Sequence, residues 1–167
     1  PGTKFVKTWN SATGSWSAML PILDDFRWYP STTTLPDGRV LTVGGGNENN
    51  PERTNTSELL DPFALTTTVV DTIQIGNEQS PIVMLYDGTV LMTHRPPQLF
   101  DPTNDQWELT GDFVQSPRMP NGDHADHELV VLPEGNVVAI GYRSFTPGVY
   151  GNMVEVYDAV SGTWSLG

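Results

Sequence analysis

The stretch Ser31-Thr-Thr-Thr-Leu-Pro-Asp-Gly38-Arg-Val-Leu-Thr-Val43 carries the pattern that decides the fold. Two runs rich in β-branched residues flank a short turn with the sequence Pro36-Asp37-Gly38. Pro36 presets φ at the start of the turn, and Gly38 takes the positive φ that closes a hairpin. The stretch therefore predicts two antiparallel strands joined by a tight turn.

The same pattern returns twice along the chain. It recurs in Ile82-Val-Met-Leu-Tyr-Asp-Gly88-Thr-Val-Leu-Met92 and in Leu129-Val-Val-Leu-Pro-Glu-Gly135-Asn-Val-Val-Ala-Ile140. The turn glycines Gly38, Gly88 and Gly135 lie 50 and 47 residues apart. This period is typical of the blades of a β-propeller, so the repeat predicts an all-β fold.

A second repeated pattern lies between these hairpins. Phe100–Trp107, Tyr157–Trp164 and Trp9–Trp16 each place a tryptophan seven residues after an aromatic residue, with a polar turn between them. A weaker copy starts at Leu60 and has Thr67 in place of the tryptophan. The large rings are expected to fill the space between neighbouring blades, which widens outwards.

These two patterns divide the chain into about three and a half four-stranded antiparallel blades of the kelch type. The predicted segments are 1–20 (two outer strands), 21–75 (a blade), 76–115 (a blade) and 116–167 (a partial blade with three strands). A closed propeller usually has at least four blades. We expect the chain to be part of a larger propeller, and the alternative is a ring closed by two copies. A start at Pro1 rather than Met also favours a processed or excised chain.

Charge and composition exclude several classes of partner. The chain has 167 residues, a formal net charge of −12 and only 8 Lys and Arg residues. Nucleic acid and anionic membranes are therefore not expected partners, and no apolar run is long enough to insert into a membrane. The absence of cysteine excludes disulfides and thiolate metal sites.

One run resembles a more specific family. Arg27-Trp-Tyr-Pro, the Leu-Pro-Asp-Gly38 turn and Gly44-Gly45 together are similar to the first blades of the galactose oxidase and glyoxal oxidase family. The resemblance implies a secreted, seven-bladed oxidase of alcohols or aldehydes. It also implies copper bound by two tyrosines and two histidines, with one tyrosine cross-linked to a cysteine. This chain has no cysteine and no Tyr-His dipeptide, so only the scaffold part of the resemblance carries over.

Two groups of residues are candidate sites. His124, Asp126 and Glu128 alternate along one predicted strand, so an imidazole and two carboxylates share a face that would suit zinc, manganese or iron. Aligning the inner turns puts His124 level with Arg27 and Asn77, beside the channel mouth. The alternative is that these are solvated loop residues, and no cofactor is otherwise predicted.

The second group is Arg27, Trp28 and Tyr29, an aromatic and cationic surface that could hold a sugar or a peptide. The alternative is that both aromatic rings pack between blades. No nucleophile triad is evident. The sequence thus favours a non-catalytic binding module, extracellular, that recognises a protein or carbohydrate partner through its loops and channel mouth. The alternative function is part of an oxidoreductase related to galactose oxidase.

Overall fold

The structure, a computed structural model, describes residues 3–21, 23–46, 54–76, 81–94, 96–114, 127–142 and 151–167. Within these ranges every regular element is a β-strand. The strands are β1 (Phe5–Val6), β2 (Trp9–Asn10), β3 (Ser15–Trp16), β4 (Leu20–Pro21), β5 (Ser31–Thr34), β6 (Val40–Val43), β7 (Thr56–Asp61), β8 (Thr66–Thr72), β9 (Ile82–Met84), β10 (Val90–Met92), β11 (Gln98–Asp101), β12 (Gln106–Leu109), β13 (Glu128–Val131), β14 (Val137–Tyr142), β15 (Gly151–Asp158) and β16 (Thr163–Leu166).

The strands form three antiparallel four-stranded sheets in sequential order: β5 to β8, β9 to β12, and β13 to β16. We call these the first, middle and last blades. Ahead of the first blade, β1 pairs with β4 and β2 pairs with β3. β1 and β2 lie along one outer strand and β3 and β4 along the other, so the two pairs form the outer half of an incomplete blade. The predicted all-β class and the number of blades are confirmed.

The last blade corrects one prediction, because it has four strands and not three. The four residues Thr163–Leu166 are enough to form β16, which pairs with β15 from Asp158↔Thr163 to Glu155↔Leu166. The outer hairpin of this blade is therefore complete within the chain.

The inner turns have the predicted geometry. In the first blade the amide of Gly38 donates to the carbonyl of Leu35 at 3.0 Å, and the amide of Leu35 donates to the carbonyl of Arg39 at 2.8 Å. The φ angles of Gly38, Gly88 and Gly135 are 89°, 91° and 99°. A side chain at these positions would be strained, which explains why glycine occupies each turn.

The outer hairpins place the aromatic residues directly opposite one another. Phe100 pairs with Trp107, Tyr157 with Trp164 and Trp9 with Trp16, with ring centroids 5.2, 5.1 and 5.2 Å apart. In the first blade Leu60 stands opposite Thr67, as the weaker copy of the pattern predicts.

The aromatic pairs belong to two buried clusters that lie between blades. One cluster joins the first blade to the middle blade and includes Leu41, Leu59, Phe100 and Trp107. The other joins the middle blade to the last blade and includes Leu91, Val137, Tyr157 and Trp164. Each complete blade thus contributes to the hydrophobic core by packing face to face against its neighbour.

A search of the described residues for a helix long and apolar enough to cross a membrane finds none.

Candidate functional site

Arg27 lies where the chain enters the first blade. Its backbone forms an isolated antiparallel bridge with Thr3, with N···O distances of 3.1 and 3.3 Å. Its side chain is only 1% exposed and runs into the interior of the blade. The exposed cationic surface expected from the sequence is therefore not found at this residue.

The guanidinium of Arg27 is held by an ion pair with Glu58. Nη2 and Nε donate to Glu58 Oε1 at 2.6 and 2.9 Å, and the Glu58 side chain is fully buried. Nη1 donates to the carbonyls of Gly44 and Thr56, and Nη2 also donates to the Thr56 hydroxyl at 3.0 Å. A ligand would have to displace these partners before it could bind the guanidinium.

The carboxylate of Glu58 also holds the loop that enters the first blade. It accepts the backbone amides of Asp24 at 2.8 Å and Asp25 at 3.3 Å. Arg27, Glu58 and this loop therefore form one buried polar network, which we call the Arg27–Glu58 clamp.

Asp25 extends this clamp towards the surface. Its carboxylate accepts the hydroxyls of Thr54 and Thr56. Burial works to raise the pKa of Asp25, but the two hydroxyl hydrogen bonds and the charges of Arg27 and Lys4 outweigh it, so the pKa lies below 3.8. These contacts favour the ionised form of Asp25, which is part of the same polar network.

The sequence analysis does not identify Glu58, although a buried polar residue occupies the equivalent position in every complete blade. Glu58, Gln98 and Glu155 each stand three residues before the aspartate that starts an outer turn. All three are buried, and each accepts a backbone amide from the loop that enters its blade. The donors in the middle and last blades are the amides of Gln74 and Val114, at 3.4 and 2.7 Å.

Trp28 and Tyr29 remain the more accessible part of the predicted binding surface. Their rings meet edge to face with centroids 5.0 Å apart, and Tyr29 is 53% exposed. The φ of Tyr29 is 51°, which is uncommon for a residue with a bulky side chain. The Trp28 carbonyl accepts the amide of Gly46 at 3.1 Å, so the adjacent backbone is anchored to the glycine run. The exposed ring of Tyr29 is the feature that a sugar or a peptide could contact.

The predicted metal site falls largely outside the described residues. His124 and Asp126 lie there, as does Asn77 of the predicted ligand surface. Glu128 is described, is exposed and begins β13, where it pairs with Ile140. The metal site therefore stays a prediction.

The neighbouring His127 is involved in contacts between blades. Its Nε2 lies 2.6 Å from the Thr93 hydroxyl at the end of β10, and its ring meets Phe113 edge to face at 5.6 Å. His127 thus contacts the middle blade from the last blade, and its side chain is partly buried there, unlike the exposed side chain of Glu128.

The complete copper cofactor that the family resemblance implies, with a tyrosine cross-linked to a cysteine, cannot form from the residues of this chain alone. Among the described residues, no group of three or more histidine, cysteine, aspartate or glutamate side chains is placed to hold a metal ion. The whole chain also lacks the cysteine needed for the cross-linked tyrosine.

Comparison with known proteins supports the fold. The chain is similar to the solved structure of a fungal alcohol oxidase of the AA5 family in complex with copper, with a TM-score of 0.69 and 19% identity. The match covers 99% of this chain and 35% of that oxidase, so the chain spans about a third of its length. At this identity the similarity shows the fold alone. No family model matches the chain, and no curated protein matches it.

Proposed function

We propose that the chain is a scaffold segment of a propeller oxidoreductase related to galactose oxidase. The observation that carries the proposal is the structural similarity to the AA5 alcohol oxidase over 99% of the chain. The Arg27–Gly45 run, found independently in the sequence, supports the same family.

In this proposal the described blades have a structural role. Their buried polar groups hold blades and loops together, as the Arg27–Glu58 clamp does, and their apolar residues pack between blades. Copper would supply the redox chemistry of alcohol oxidation, and its ligands would lie outside the described residues. The same proposal includes a kelch-type repeat, an extracellular location and further blades that complete the ring.

The test is to isolate the native polypeptide that carries this sequence and to measure its copper content and activity. A primary alcohol and O₂ would yield an aldehyde and H₂O₂, so H₂O₂ is the readout. We expect stoichiometric copper and H₂O₂ formation that chelation abolishes. A copper-free polypeptide that forms no H₂O₂ after copper loading would contradict the proposal.

The 167-residue chain on its own provides the second arm of this test. We expect it to form no H₂O₂ from a primary alcohol and O₂, since it has no cysteine for the cross-linked tyrosine. A chain that bound copper tightly and oxidised alcohols alone would show that the scaffold role is wrong.

A binding module for a protein or a glycan is the second candidate, and the exposed ring of Tyr29 favours it. Binding to immobilised glycans and peptides tests it, with Tyr29→Ala as the variant. Tyr86, which is 71% exposed in the inner turn of the middle blade, provides the matched control Tyr86→Ala. Binding that Tyr29→Ala weakens and Tyr86→Ala leaves unchanged would support this function.

A further inference from the structure

Asn55 begins the one N-glycosylation signal in this sequence. The signal is an asparagine, then any residue except proline, then serine or threonine. Of the ten asparagines in the chain, only Asn55 meets it, with Thr56 and Ser57. A motif this short also arises by chance, so the structure around it decides whether an oligosaccharide fits there.

The structure exposes the Asn55 side chain and anchors the backbone that carries it. Asn55 is exposed and stands directly before β7. Its carbonyl accepts the amide of Ile73, the residue that follows β8, at 2.9 Å. A bulky polar group on Asn55 would therefore extend into solvent from a fixed point at the end of the first blade, as a surface glycan does.

The exposure of Asn55 does not come from a missing neighbour. Ser57 faces the middle blade, where its hydroxyl accepts the indole N–H of Trp107 at 2.8 Å. Alternation along an extended segment places Asn55, two residues earlier, on the same side. The middle blade is present on that side and buries Ser57 completely, yet it leaves Asn55 exposed.

We propose that Asn55 carries an N-linked oligosaccharide, attached before the first and middle blades pack together. In the transfer, Nδ2 of Asn55 attacks C1 of an oligosaccharide that is linked to a lipid pyrophosphate. The bond from C1 to Nδ2 forms while the bond from C1 to the pyrophosphate oxygen breaks. Nδ2 gives up one proton, the lipid pyrophosphate leaves, and no group is oxidised or reduced.

The timing follows from the two roles of the Ser57 hydroxyl. The transferase requires this hydroxyl as part of the signal, but in the fold Ser57 is 0% exposed and bonded to Trp107. Trp107 follows Ser57 by 50 residues, so a growing chain presents the signal before the residue that covers it is available. Because Asn55 stays outside the interface, the attached oligosaccharide does not obstruct the packing that follows.

The inference rests on the extracellular location in the proposed function, because N-glycosylation is a modification of secreted chains. It does not rest on the oxidase chemistry. Its readout is the mass of the peptide that contains Asn55, whereas the oxidase test reads copper and H₂O₂. A native polypeptide that forms H₂O₂ but is unmodified at Asn55 would overturn this inference alone.

The first experiment examines the native polypeptide and, in parallel, the 167-residue chain directed into the secretory pathway of a yeast by an added signal peptide. Retained and secreted chains are both collected, since attachment precedes folding. We expect one oligosaccharide on the yeast chain, whose mass exceeds 18.3 kDa until peptide-N-glycosidase removes the sugar. That enzyme converts the modified asparagine to aspartate, so peptide mapping should locate the change at Asn55 in both samples. An unmodified Asn55 in either sample would overturn the proposal.

Variants of the yeast chain identify the signal. Asn55→Gln and Ser57→Ala should each abolish the mass increase, and Ser57→Thr, which keeps a hydroxyl, should retain it. Asn104→Gln is the matched control, because Asn104 is also exposed but is followed by Asp105 and Gln106. These comparisons do not require the variants to fold. A mass increase that persists in Asn55→Gln, or that disappears in Asn104→Gln, would contradict the assignment.

The timing is tested on folded, unmodified chain made in bacteria and incubated with a purified oligosaccharyltransferase and a lipid-linked oligosaccharide. We expect no modification of this chain. Trp107→Ala removes the ring that covers Ser57 and should permit modification, whereas Trp16→Ala removes a ring that is 62% exposed and should not. Modification of the unmutated folded chain, or none in Trp107→Ala, would show that burial of Ser57 does not control the transfer.

Discussion

Trp107 of the middle blade donates its indole N–H to the hydroxyl of Ser57 in the first blade at 2.8 Å, and both groups are buried. The equivalent Trp164 of the last blade has a buried Nε1 with no hydrogen-bond partner among the described residues. The residue of the middle blade that corresponds to Ser57 is Pro97, which offers no side-chain acceptor. One of the two interfaces between blades is therefore fully satisfied and the other is not.

Replacing Ser57 with alanine should leave the interface between the first and middle blades with a buried, unpaired indole N–H, like the interface between the middle and last blades. The indole N–H of Trp107 would stay buried without an acceptor, so we expect the free energy of unfolding to fall by about 1–3 kcal/mol. Chemical denaturation measures this loss. Ser165→Ala is the control, because Ser165 is exposed on β16 and should change stability by less than about 0.5 kcal/mol.

A double-mutant cycle isolates the hydrogen bond in this prediction. Trp107→Phe removes the donor, so Ser57→Ala should cost less in a Trp107→Phe background than in the unmodified chain. Equal costs in the two backgrounds would show that the hydrogen bond contributes nothing.

Gly45 supports the backbone around Arg27 and Trp28. Its φ is 95°, and a Cβ there would lie 3.1 Å from Arg27 Cα and 3.2 Å from the Trp28 carbonyl oxygen. Gly45→Ala should destabilise the fold by about 1–3 kcal/mol through the backbone alone, and by more through the contacts. Gly14 also has a positive φ, 63°, but its Cβ would meet open space, so Gly14→Ala is the matched control. Thermal unfolding should show the larger loss for Gly45→Ala, and equal losses would contradict the role of close packing.

The features that sequence predicted well are local. The inner turns follow from a proline, an acidic residue and a glycine within three positions, and the aromatic pairs follow from a fixed spacing of seven across a tight turn. Such patterns specify conformation without help from distant residues. They were sufficient to predict the all-β class and its four-stranded antiparallel sheets.

The position of Arg27 shows where sequence reasoning failed. An arginine beside two aromatics in a turn suggests a surface, but Arg27 is buried because Glu58 supplies a carboxylate from 31 residues away. Nothing next to Arg27 in the sequence reveals that partner. The repeated position of Glu58, Gln98 and Glu155 in their blades was the available signal, and it marks structure rather than ligand binding.

The Arg27–Glu58 clamp should be sensitive to the loss of either charge. Glu58→Gln keeps an acceptor but leaves the Arg27 guanidinium buried without its counter-charge, so we expect a loss of about 3–5 kcal/mol by chemical denaturation. Replacing both residues with methionine should cost much less than the two single replacements combined. If the double variant lost as much unfolding free energy as the two single methionine variants added together, the clamp would be contradicted.

Arg39 and Asp105 provide the exposed comparison for this clamp. Their side chains are 29% and 36% exposed, with Nη2 and Oδ1 3.1 Å apart. An exposed pair is worth roughly 0–1 kcal/mol, so Asp105→Asn should change the unfolding free energy by no more than that. A loss as large as that of Glu58→Gln would show that burial is not what makes the clamp important.

The outer turns should make the fold sensitive to acid. Asp61, Asp101 and Asp158 accept backbone amides within their own turns, and these hydrogen bonds hold each pKa below 3.8. Because the folded-state pKa values are depressed, their contribution is present above pH 3.8 and is lost as the pH falls through the folded values. Asn10 forms the same turn through its side-chain oxygen, without a charge. Asp158→Asn should therefore preserve stability at pH 7 and weaken its decline in acid, as followed by denaturation from pH 7 to pH 2. An unchanged acid decline in this variant would show that the turn carboxylates do not cause it.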